Sequence, residues 1–137
     1  MGRIIAIDLG TKRTGIAVTD PLQILANPLE TIETSTLLDF LKSYLAKEEV
    51  ETIVLGMPTR LDGSANEMTP RVMDLKGKLE KQFPTQKIEL IDERFTSKIA
   101  MQSMIAMGSK KKDRKEKSGN LDKVSAAIIL QSYLERK

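Results

Sequence analysis

The sequence predicts an α/β fold: a mixed five-stranded sheet, built as a three-strand antiparallel meander followed by βα units, flanked by helices. Three observations predict it. Residues 3–9 (RIIAIDL) are apolar on both alternating faces, the pattern of a strand covered on both sides. Two further β-rich runs follow at hairpin distance. After them, apolar stripes at helical spacing alternate with short β-rich runs, the signature of βα units. The 137 residues and 15.3 kDa suit one domain over 1–137 and are too few for two sizeable lobes.

In the first strand Ile5 and Ile7 take one face and Ile4 and Ala6 the other, and Asp8 falls on the Ile4 and Ala6 face. Residues 10–14 (GTKRT) make a turn, and 15–19 (GIAVT) give a second strand that pairs with the first. Asp20-Pro21 turns the chain again. A third strand is predicted over 28–32, where Pro28, Glu30 and Thr31 suit an edge. The Thr34, Ser35, Thr36 cluster is expected to cap a helix carrying Leu37, Leu38, Leu41, Tyr44 and Leu45 at helical spacing. Residues 52–55 read as a buried strand that stops at Gly56-Met57-Pro58. Asp62-Gly63 supplies a turn, and Ser64 with Glu67 has the spacing of a capping box. The helix behind it places Ala65, Met68, Val72, Leu75 and Leu79 on one stripe and is expected to end near Phe83-Pro84. Residues 88–91 form the fifth strand and carry Asp92, Glu93 and Arg94 to its C-terminal end. Thr96 or Ser97 is expected to cap a short helix that Gly108 terminates. A flexible Lys-rich loop at about 109–120 leads to a last helix capped by Asn120, whose run 124–130 (VSAAIIL) predicts close packing on the sheet.

With neither Cys nor His, the chain excludes disulfides, thiolate or imidazole zinc sites, Cys nucleophiles and Ser-His-Asp triads. An enzyme built from this chain would rest on carboxylates, Lys, Tyr or Ser, and its oxygen ligands would suit magnesium or manganese. No apolar run approaches the roughly 20 residues needed to cross a bilayer, so no membrane partner is expected. The first residues read as a strand and not as a signal peptide, so a cytoplasmic location is expected. Residues 110–117 hold six basic and two acidic side chains, a local +4 against +3 for the whole chain. The basic character is therefore concentrated in one segment. It is either a solvated loop or an arm for phosphate backbones.

A carboxylate on a face otherwise filled by Ile and Ala must be paired or ligated to stay ionised, which singles out Asp8. An Asp opening the turn at Gly10 explains the same residue without a ligand. Asp122, expected in the first turn of the last helix, shares a face with Ala126 and Ile129 and so faces the sheet; stabilisation of a helix N-terminus is its other explanation. Asp92 and Glu93 lie just past a strand end, where open sheets bind ligands. Three acids from three elements converging at one sheet end would repel one another without a divalent cation between them. A pair of such ions supports phosphodiester hydrolysis with no His as base.

Four segments carry a resemblance over nearly the whole chain: 7–20 (IDLGTKRTGIAVTD), 54–64 (VLGMPTRLDGS), 92–97 (DERFTS) and 122–130 (DKVSAAIIL). They resemble the motifs of the YqgF family, RNase H-like proteins described as Holliday junction resolvases and as nucleases maturing the 5′ end of pre-16S ribosomal RNA. The resemblance implies an RNase H-like fold and a Mg2+- or Mn2+-dependent nuclease. It makes Asp8, Glu93 and Asp122 the metal-binding acids, with Asp92 the alternative to Glu93. Among RNase H-like nucleases more broadly an acid commonly ends the fourth strand, where this chain has Gly56.

Lys12 and Arg13 stand in a Gly-flanked turn within reach of a phosphate, and Gly56, Gly63 and Ser64 would let a backbone approach a helix N-terminus. Arg94 either touches substrate or neutralises the acids beside it. Lys98, Lys110, Lys111, Lys112, Arg114, Lys115 and Lys117 are candidates for positioning nucleic acid without reading its sequence. The expected partner is nucleic acid, either pre-rRNA within a pre-ribosomal particle or branched DNA, bound by a monomer or a homodimer. Two other readings stand beside this one. Residues 8–11 are similar to the first phosphate loop of actin and Hsp70-like ATPases, whose nucleotide sits between two domains where this chain supplies one. A non-catalytic RNA-binding ribosome-assembly factor is the other; with three Phe, two Tyr and no Trp, it would bind through phosphates more than through stacked bases.

Overall fold

The doubly apolar first strand takes the middle of the sheet, because only there are both of its faces covered. The structure, a computed structural model, describes residues 2–57, 68–92 and 118–136. Its elements are β1 (Arg3–Asp8), β2 (Arg13–Thr19), β3 (Ala26–Glu33), a 3-10 turn (Thr34–Thr36), α1 (Leu37–Lys47), β4 (Val50–Met57), α2 (Thr69–Gln82), β5 (Lys87–Asp92) and α3 (Ser118–Arg136). The five strands run in the order β3-β2-β1-β4-β5. β1 pairs antiparallel with β2, and β2 with β3; β1 pairs parallel with β4, and β4 with β5. The expected mixed sheet, meander first and βα units after, is the one observed.

Alternation along β1 separates two cores. Ile5, Ile7, Ile16, Ile53 and Leu55 pack beneath α1 and α2 through Leu37, Leu41, Val72, Leu75 and Leu79. On the other face Ile4, Ala6, Ala17, Val54 and Ile91 meet Ala126, Ala127, Ile129 and Leu130 of α3. The alanines on both sides let α3 lie close to the sheet, as the 124–130 run predicts.

Several boundaries differ from expectation. β3 spans Ala26–Glu33, longer than 28–32, and is an edge strand as predicted. Its register with β2 shifts between the Ile16–Glu30 and Ala17–Pro28 pairs, so Leu29 is an extra residue beside Pro28. Such a bulge blunts an exposed edge. β4 and β5 also extend beyond 52–55 and 88–91, because pairing with neighbours carries a strand past its apolar run. α2 has Pro70 in its first turn, keeps the Val72, Leu75 and Leu79 stripe buried, and ends at Gln82 beside Phe83. The capping box at Ser64, the stripe position Ala65 and the short helix before Gly108 lie outside the described residues.

Two expectations about helix ends are corrected. Thr36 takes the N-cap position of α1 as expected, but Thr34, Ser35 and Thr36 form a 3-10 turn and no side chain makes a capping bond to either helical segment. The Thr36 hydroxyl instead donates to the Glu33 carbonyl at 2.7 Å, and that of Thr34 serves the neighbouring β1–β2 turn. α3 begins at Ser118 and not at Asn120, so residues 118–120 leave the expected loop. Ser118 is an N-terminal residue type as favoured as Asn, and periodicity alone does not locate helix ends. Among the described residues no helix is long and apolar enough to cross a membrane.

The turn at Asp20 is tightly built. The Asp20 carboxylate accepts from the backbone N–H groups of Leu22 (3.1 Å), Ile24 (2.9 Å) and Leu25 (2.8 Å). These bonds, that from Leu25 foremost, hold its carboxyl below the usual carboxylate range. Gln23 adopts a left-handed φ of 60° and donates its side-chain amide to the Gly2 carbonyl at 2.7 Å, tying the turn to β1.

Candidate metal and nucleic-acid site

Asp8 is the last residue of β1, half-buried, and follows Ile4 and Ala6 on the α3 face. Across the antiparallel ladder it pairs with Gly15 of β2. On the other side β1 and β4 run in register to the Ile7–Leu55 pair, so Gly56 stands level with Asp8. The acid therefore sits between two positions that carry no side chain.

Asp92 ends β5 opposite Met57 of β4, at the same C-terminal end of the parallel strands as Asp8. Its position belongs to the row of Ile88 and Leu90, the α1/α2 side of the sheet. Asp122 lies in α3, four residues before Ala126 and seven before Ile129, whose buried side chains pack on Ile4 and Ala6. The direction of α3 follows from its C-terminal half. The Tyr133 hydroxyl is raised above its usual pKa first by burial and then by Glu89, with Glu51 adding to this and Lys87 opposing it, groups at the starting ends of β5 and β4. From Tyr133 back to Asp122 is about 16 Å of helix, and from Lys87 forward to Asp92 about 16 Å of strand. Position 122 therefore comes level with the end of the sheet that holds Asp8 and Asp92. With the helix beginning at Ser118, Asp122 is beyond the first turn, which contains no acid. Helix-dipole stabilisation falls off within that turn, so it explains Asp122 less well than the sequence suggests. Among the described residues no three acids form a metal cluster. Glu93, Arg94, Lys98, Lys110, Lys111, Lys112, Arg114, Lys115 and Lys117 lie outside the described residues, as do Gly63 and Ser64.

Lys12 and Arg13 are exposed at the β1–β2 turn, which has its own scaffold. A Cβ on Gly10 would overlap the carbonyl oxygen of Arg13, so this turn closes only around glycine. The Thr34 hydroxyl donates to the Gly10 carbonyl at 2.8 Å, and its backbone N–H donates to the Lys12 carbonyl at 2.9 Å. Thr34 has one hydroxyl proton, already given to Gly10, so the fully buried Thr14 is the donor in the 2.8 Å Thr14–Thr34 contact. This Thr14–Thr34–Gly10 chain fixes the loop bearing the two cations. Sequence reasoning took Thr34 for a helix cap and assigned Thr14 and Gly15 no role at the site. Pairing of β1 with β2 sets Gly15 beside Asp8 and pairing of β2 with β3 brings Thr14 to Thr34, and no local pattern announces either.

A mixed five-stranded sheet whose central strand ends on an acid between two glycines, with a cationic turn beside it, defines an α/β protein. The relatives give that class a family. The chain belongs to the RuvX (YqgF) family, described as Holliday junction resolvase, whose model matches residues 2–136. It is 49% identical over 137 residues to a protein of Bacteroides thetaiotaomicron, covering 100% of this chain and 99% of that one. A Phocaeicola vulgatus protein is 50% identical, covering 100% and 98%. One from Flavobacterium johnsoniae is 48% identical, covering 100% and 99%. All three carry the name "Putative pre-16S rRNA nuclease".

Proposed function

We propose that this chain is an RNase H-like, divalent-metal-dependent nuclease that hydrolyses phosphodiester bonds in structured nucleic acid, processing the 5′ end of pre-16S rRNA during ribosome biogenesis. The single observation that carries the reading is Asp8: a carboxylate ending the central strand, flanked by Gly15 and Gly56, at the sheet end reached by Asp92 and the N-terminal half of α3. The strand order β3-β2-β1-β4-β5 supports the fold assignment, and the names of the relatives support the substrate.

The donor set is all oxygen, which fits Mg2+ or Mn2+. Asp8, Glu93 and Asp122 would hold the ion. The resemblance makes Glu93 the ligand with Asp92 the alternative, and Asp92 ends β5 in the row of Ile88 and Leu90, opposite the row of Asp8. When bound, the metal makes a water nucleophilic at neutral pH and balances charge on the departing oxygen. The protein supplies the rest. Asp8 is held by the strand register, and Lys12 and Arg13 hold the substrate phosphate on a turn locked by Thr34. The basic residues 110–117 add attraction to the backbone that weakens as salt rises.

The test incubates pre-16S-like RNA and a four-way DNA junction with purified protein and magnesium, beside Asp8→Asn and Asp122→Asn. Cleavage of the RNA by wild type and its loss in both variants is expected. Equal cleavage by all three sinks the mechanism. Symmetrical cutting of the junction, the activity in the family description, requires two active sites and hence a homodimer, which solution mass detects.

A further inference from the structure

A second concavity adjoins the Gly10 turn on the α1/α2 face of the sheet, away from Asp8. It is a cleft of about 540 Å3. That size accommodates a small organic group. Leu9, Leu37, Leu38 and Leu75 provide its apolar walls, and Ser35 and Arg71 stand at its rim. Both rim residues are exposed, and among the described residues neither side chain has a hydrogen bond or ion pair. Lys78, also on the rim, is held by Asp74 at 3.2 Å, so Arg71 is the rim's uncommitted cation. A more open recess lined by Thr11, Lys12, Arg13 and Glu33 shares Ser35 with the cleft. The two meet at Ser35, the cleft apolar between α1 and α2 and the recess carrying Lys12 and Arg13 beside Glu33.

We propose that the cleft is a nucleobase subsite, which takes one unstacked base of a single-stranded nucleotide next to the phosphate that is cut. The proposal rests on the nuclease reading. A base has two apolar faces and a polar edge. Leucine walls receive the faces, the free Ser35 hydroxyl meets the edge as donor or acceptor, and Arg71 and Lys12 receive the flanking phosphates. Gly10 is two residues from Asp8, within about 7 Å along the chain. A strand crossing the end of β1 thus reaches the acid on one side and the cleft on the other within one or two nucleotides. Aliphatic walls without aromatic rings give contact with little base preference. A continuous duplex cannot enter, because its bases are stacked and paired, so the substrate class is nucleic acid with a single-stranded segment at the cut.

The experiment measures binding by fluorescence anisotropy, using the full chain and a labelled single-stranded RNA heptamer whose positions are made abasic one at a time. For wild type, affinity is expected to fall about five- to tenfold at one position and little elsewhere. Leu38→Trp, which fills the cleft, is expected to lower affinity for the intact heptamer by the same factor and to abolish the positional effect. Ser35→Trp, at an exposed site that tolerates the change, is expected to do likewise. Arg71→Ala lowers affinity for every member alike and flattens the salt dependence. A wild type indifferent to abasic position overturns the proposal, as does persistence of the positional effect in both tryptophan variants. Binding is read without cleavage. A wild type that cleaves but shows no positional effect rejects the subsite alone, whereas a wild type that shows the effect but does not cleave rejects the nuclease reading alone.

Discussion

Replacing Thr34 by Val removes one hydroxyl, keeps the side-chain shape, and tests whether the Thr14–Thr34–Gly10 chain holds the cationic turn. Two hydrogen bonds of 2.8 Å disappear. Each is worth about 0.5–1.5 kcal/mol net, and stranding a buried hydroxyl costs about 1–3 kcal/mol. The Thr14 hydroxyl, fully buried, is the group stranded. The Gly10 carbonyl is only half-buried and recovers water. Thr34→Val should therefore destabilise by about 2–3 kcal/mol. Thr14→Val leaves Thr34 free to donate to Gly10, so its loss is about 1 kcal/mol. The double variant no longer strands a hydroxyl, so its loss should be smaller than the sum of the singles by about 1 kcal/mol or more. Urea denaturation at constant m-value reads all three. Affinity for RNA should fall in Thr34→Val although Lys12 and Arg13 are unchanged, because the loop presenting them loosens. A Thr34→Val midpoint indistinguishable from wild type, or strict additivity in the cycle, would refute the reasoning.

Ala126→Leu forces a large side chain into the alanine layer between α3 and β1, at about 1–3 kcal/mol. By lifting the helix that carries Asp122, it should reduce cleavage more than RNA binding, which a comparison of kcat with Kd measures. Asp20→Ala should speed amide exchange at Leu22, Ile24 and Leu25, whose N–H groups lose their acceptor. Because the folded carboxyl titrates below its ordinary value of 3.8, the contribution of this turn is complete above that value and is lost as pH falls through and below it. Wild-type exchange should rise toward that of Asp20→Ala only in strong acid, and a difference that disappears near neutrality would contradict the role given to the carboxylate.

The candidate site was legible in part. Asp8 stood out because an acid among Ile4, Ala6 and Ile7 breaks a local pattern, and the predicted face is the one observed. The β1–β2 turn that exposes Lys12 and Arg13 was legible from Gly10. Thr34 was misread because threonine before an apolar periodic run is a good cap, and nothing local says that a carbonyl 24 residues earlier in the chain takes its hydroxyl. The start of α3 was placed too late, behind Asn120 where the helix already begins at Ser118, because periodicity alone does not locate a helix end.

By itself the sequence determined the strands and helices, the two-sided burial of β1, the edge character of β3 and the oxygen-only chemistry open to a chain without Cys or His. These follow from period, residue type and composition, which act over a few residues. Only the tertiary structure decided that Asp8 lies between Gly15 and Gly56, that Thr34 locks the Gly10 turn and that α3 runs back toward the acidic end of the sheet. Those relations depend on register and packing direction. Both are set by long-range pairing that minimises exposed apolar surface over the whole fold, which no short stretch of residues encodes alone.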